Sequence, residues 1–124
     1  MPSYALNQAG IALAEQMLEM APGDAMLVLL ARNTHREVQT AMEEAERLDI
    51  PVVLLTSHRA HSLAPACAQV IYLPRARVES IPLHGPTLSC LEMLMLGLTA
   101  AEPARSVDTM NRLVRLRNSI RPGK

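Results

Sequence analysis

Residues 25–31, Ala-Met-Leu-Val-Leu-Leu-Ala, carry no polar side chain and no alternation, and they break at once into Arg32-Asn33-Thr34-His35-Arg36-Glu37. A strand apolar on both sides of its pleat belongs in a parallel sheet covered by helices on both faces. Thr34 followed three residues later by Glu37 has the form of a capping box, so the sequence predicts a helix starting there. A strand feeding a helix in this way directs the helix's free amides and positive dipole end past the strand's carboxyl end, where open α/β sheets take up ligands and anions.

The neighbouring segments fit that unit. Leu6, Ala9, Leu13, Met17 and Met20 share one face, predicting a first helix over 5–20 that stops at Ala21-Pro22-Gly23. The second helix, over 35–48, turns Val38, Ala41, Met42, Ala45 and Leu48 inward. A strand over 51–56 completes a strand-helix-strand crossover, right-handed by strong preference. Ser62 is placed to cap a short helix through Ala66, and a strand follows over 70–73. Residues 74–86 read as a loop rich in proline and arginine. The segment 87–101 is apolar almost all round, a helix that needs cover on more than one side, from the sheet and from a second subunit; Thr87 and Ser89 are its cap candidates. Pro103 opens a last helix, with Val107, Met110, Leu113 and Val114 as its stripe.

Composition narrows the function. A chain of 124 residues holds one domain, here with a core over 22–102 and an amphipathic helix over 103–121. With 12 basic and 12 acidic side chains, wholesale binding to nucleic acid or membrane is disfavoured, although Arg105, Arg112, Arg115, Arg117, Arg121 and Lys124 face only Asp108 across the last 20 residues. No secretory signal opens the chain and no run is long enough to span a bilayer, so the expected address is cytoplasmic. Cys67 and Cys90 sit in apolar company and are expected free and buried. His58 and His61 are too few to make a metal site, and no cofactor is expected. His84 is a loop histidine, Glu79 is the sole carboxylate in a loop beyond the strands, and no nucleophile and base are paired by spacing. The sequence therefore does not support an enzyme.

In order, Pro22-Gly23-Asp24, the apolar strand, Glu37-Val38, Leu54-Leu55-Thr56 and Ser62-Leu63-Ala64 resemble the sugar isomerase (SIS) domain. Leu83-His84-Gly85-Pro86-Thr87 before the apolar helix, and Arg112-Leu113-Val114-Arg115-Leu116-Arg117 near the end, resemble the effector domain of RpiR/MurR-type transcriptional regulators. The resemblance implies a flavodoxin-like parallel sheet sandwiched by helices, shortened at its amino end. It also implies a homodimer, formed here through the apolar helix over 88–98, and recognition of a phosphorylated sugar. DNA contact would fall to a helix-turn-helix domain that these 124 residues do not carry. The family's phosphate loop reads Ser-x-Ser-Gly-x-Thr; Leu30, Arg32, Asn33 and His35 stand at the matching positions, and none keeps the signature residue. Charge and helix geometry nevertheless leave Arg32, Asn33, Thr34, His35 and Arg36 as candidate ligands for phosphate, with Thr56, Ser57 and Ser62 lining the same crevice. A small phosphosugar isomerase, or a dimerisation module without a ligand, are the alternatives.

Overall fold

The fold is taken from a computed structural model, which describes residues 5, 6, 8–30, 33–74, 76–78 and 81–121, with the side chains of 76–78 and 81–83 left out. The chain divides into two compact units, Met1–Arg75 and Ala76–Lys124.

The first unit is α/β. Helix α1 (Ile11–Met17), strand β1 (Met26–Leu30), helix α2 (Arg36–Arg47), strand β2 (Val52–Thr56), a 3-10 turn (Ala64–Ala66) and strand β3 (Gln69–Tyr72) follow in order. The strands form one parallel sheet in the order β1-β2-β3, flanked by helices, with Leu30 beside Thr56 and Thr56 beside Tyr72. All three carboxyl ends therefore meet along one edge.

One face of this sheet is packed by the helices. Met42 and Ala45 of α2 join Ile50 and Val52 in a buried cluster with Met26, Val28, Val38 and Leu48 against it; Leu13 and Met17 of α1 pack with Ala41 beside it. Central Leu54 is 0% exposed, a burial that contributes about 1.5–3 kcal/mol. Within the first unit β1 alternates: Leu27 and Leu29 are 42% and 46% exposed, while Met26, Val28 and Leu30 are half-buried.

Several helix starts also differ from expectation. Helix α1 begins only at Ile11, because Gly10 at φ 59° leaves the helical region and cuts Leu6 and Ala9 off from the stripe. The Thr34–Glu37 capping box does not form: the cap of α2 is His35 in extended conformation, with no side-chain hydrogen bond, and Glu37 remains as a dipole-matched acid in the first turn. Ser62 does not cap the 3-10 turn, whose preceding residue is Leu63. The end of α2 is a full Schellman motif. The Ile50 amide donates to the Ala45 carbonyl at 2.8 Å and the Asp49 amide to that of Glu46 at 3.1 Å, with Asp49 at φ 56° and Ile50 packed in the Ala45 cluster.

The second unit opens with an antiparallel hairpin of β4 (Ala76–Val78) and β5 (Ile81–Leu83), in a stretch expected to be loop. Helix α3 (Gly85–Ala101) follows, then α4 (Pro103–Ile120). The residue before α3 is His84, so Thr87 and Ser89 lie inside the helix and do not cap it. Within its own unit neither helix buries a side chain. Among the described residues no helix is long and apolar enough to cross a membrane.

Candidate functional site

The parallel register puts the segments that follow β1 and β2 at the same carboxyl edge. Asn33, His35 and Arg36 are exposed there and Thr34 is half-buried; Arg32 lies outside the described residues, as does Glu79. Arg36 is the first residue of α2, so its cation stands where the helix dipole is already positive.

On the second loop, Thr56 is 2% exposed at the end of β2, and its hydroxyl oxygen accepts from the His58 amide at 3.1 Å. That bond turns the chain locally, which is the structural role such a threonine ordinarily has. Ser57 and Ser62 are exposed. The Tyr72 hydroxyl donates to the Arg59 carbonyl at 3.0 Å and ties the loop to the end of β3.

His61 is the feature of this loop that spacing did not single out. It is 4% exposed, and its Nδ1 accepts from the Leu63 amide at 3.3 Å. An imidazole that accepts at Nδ1 carries its proton on Nε2 when neutral, and that buried Nε2 has no hydrogen-bond partner among the described residues. The ring lies edge-on to His58, centroids 6.5 Å apart. The visible clue in sequence was only a histidine before Ser62-Leu63-Ala64, which does not encode burial.

The cysteines, expected buried, are both half-buried and free. Burial pushes the Cys67 thiol up, and its sulfur donates to the Leu63 carbonyl at 3.2 Å, so it remains a protonated, weak nucleophile at neutral pH. Among the described residues no group of three His, Cys, Asp or Glu is placed to hold a metal ion. Two concavities of the first unit flank α2, one toward α1 and one toward the 3-10 turn; neither is lined by a residue of the carboxyl edge.

A parallel sheet whose strand ends share one rim, with a helix start beside it, defines an open α/β domain. The SIS domain family profile matches residues 2–103, and the chain belongs to that family. Among solved structures it is similar to the sugar isomerase domain of the RpiR transcription factor from Sphaerobacter thermophilus, with a TM-score of 0.73 at 18% identity. That likeness covers 87% of this chain and 60% of the other, and at such identity it speaks for the fold. No curated protein matches the sequence.

Proposed function

We propose that this SIS domain binds a phosphorylated sugar at the carboxyl edge of its sheet and serves as the sensing module of an RpiR-type transcriptional regulator. The observation that carries the reading is Arg36 at the first position of α2, beside the ends of β1 and β2, in a chain of the SIS family. A cation at that end of a helix costs about 0.3–1 kcal/mol, and a bound anion turns the same arrangement favourable. In this reading Arg32 and Arg36 neutralise the phosphate, Asn33, Thr34 and His35 hold it, and Thr56, Ser57 and Ser62 meet the sugar hydroxyls. Contact with DNA belongs to a separate domain. Two copies pair through α3, whose exposed Leu88, Met95, Leu96 and Leu98 need cover.

A second reading, a dimerisation module without a ligand, draws on Leu30, Asn33 and His35 standing where the family's loop has hydroxyls and glycine. A thermal-shift panel of sugar phosphates and aminosugar phosphates separates the two. A ligand at a hundred times its dissociation constant raises stability by about 2.7 kcal/mol. Arg32→Ala and Arg36→Ala should each abolish the shift. A panel without any shift favours the ligand-free module, and turnover of a bound sugar would make the chain an isomerase.

A further inference from the structure

Among the described residues, one buried side-chain polar atom lacks a hydrogen-bond partner: Nε2 of His61. A buried donor left unpaired costs stability, so its retention calls for a reason. The other side of the ring has one. Its Nδ1 accepts from the Leu63 amide, and the His61 carbonyl accepts from the Ala64 amide at 3.0 Å, so the residue fixes the start of the 3-10 turn. That bond sets the neutral tautomer with its proton on Nε2. Turn formation alone does not need a histidine, since a serine or asparagine offers the same acceptor on a shorter side chain and buries no orphan donor.

The ring belongs to the carboxyl edge. It meets His58 edge-on at 6.5 Å, and the His58 amide is bound to the Thr56 hydroxyl at the end of β2. The loop around it is light: Ser57, Arg59, Ala60 and Ser62 are exposed, and an exposed hydrogen bond from Tyr72 to the Arg59 carbonyl ties it to β3. A segment with so little apolar burial opens locally far more readily than the sheet beneath it.

We infer that His61 selects the sugar: when the 57–63 loop parts, Nε2–H donates to a hydroxyl or carbonyl oxygen of a bound sugar whose phosphate lies at Arg32 and Arg36. The inference rests on the phosphosugar reading and adds the contact that tells a sugar phosphate from phosphate alone. A protonated sugar amine is a donor only and makes no bond with Nε2–H, so this position admits an oxygen and rejects an ammonium.

Calorimetric titration of the full chain with hexose phosphates, pentose phosphates and inorganic phosphate tests it. The parent should bind at least one sugar phosphate about tenfold or more tighter than inorganic phosphate, as one otherwise unmade hydrogen bond provides. His61→Asn keeps an acceptor for the Leu63 amide but loses the Nε2 donor; it should fold, bind inorganic phosphate as the parent does, and lose the preference for the sugar. His61→Gln, whose amide nitrogen reaches about as far as Nε2, should restore part of it. Equal loss of both ligands in His61→Asn makes the residue structural only, and an undiminished preference removes it from the site; either result overturns the inference. A parent that binds phosphate but prefers no sugar overturns it while sparing the anion site, and a parent that binds neither removes both. Nitrogen NMR of the ligand-free parent should show the His61 proton on Nε2, and a proton on Nδ1 instead overturns the assignment.

Discussion

Helices α2 and α3 are both long and regular, yet α2 buries Ala41, Met42 and Ala45 while α3 buries nothing. The difference lies in where each helix keeps its polar residues. Helix α2 has an acidic and basic back and an apolar stripe of the width one sheet face can cover, so its partners are within its own unit. Helix α3 is apolar nearly all round, a pattern that asks for cover on several sides at once. Among the described residues, the buried apolar side chains, from Leu13 to Leu55, all fall in the first unit. A chain can thus spend as much apolar surface on one region as on another and obtain a core from only one of them.

Mutations can break that contrast or make it sharper. Leu54→Ala in the middle strand should cost about 2–5 kcal/mol in a urea titration, because the cavity opens where nothing collapses to fill it. Asp49→Gly, which removes a side chain from the left-handed residue closing α2, should raise stability by about 0.5–1 kcal/mol in the same assay. Leu96→Ala, at a residue 62% exposed, should change the unfolding free energy of dilute monomer by less than about 0.5 kcal/mol. A cost like that of Leu54→Ala would mean that α3 has a partner after all, and the contrast between the helices would fall.

The smallest effect concerns the solvent side of α2. Hydrogen bonds from Arg47, at 2.8 and 2.6 Å, hold the Glu44 carboxyl below its usual value, with the nearby positive charge adding to them. A lowered carboxyl stabilises the fold fully above its unfolded value, and the contribution disappears as pH falls through the folded one. The difference between the parent and Glu44→Gln should therefore shrink on acidification through that window. Because the pair is exposed, salt should reduce the difference further.

The sheet was legible because β1, α2 and β2 form a crossover whose residue pattern leaves one sensible topology, and each strand falls within a residue or two of its expected bounds. Parallel register then follows, and with it the meeting of the 33–36 and 56–62 segments at one edge. What could not be read depends on competition between local and distant partners. Gly10 looked like a tolerable helix residue until its positive φ ended α1 early. His35 took the cap position that the Thr34–Glu37 spacing assigned to Thr34. Pro82 argued against a strand, yet a three-residue edge in a two-stranded hairpin accepts proline. At the site, the sequence supplied candidate contacts, whereas the burial of His61 depends on how its loop closes over the strand end.

Among the described residues the order β1-β2-β3 makes β1 an outer strand, and Met26–Leu30 has neither a charge nor a proline to discourage intruders. Natural sheets normally blunt such a rim with lysine, a bulge or a break. Here the ladder's unmet amides and carbonyls lie next to bare leucines, the recipe for stacking strand upon strand between molecules. Storage near the melting point should consequently yield thioflavin-positive fibrils, and Leu29→Lys should delay them while leaving Leu54 and its neighbours packed.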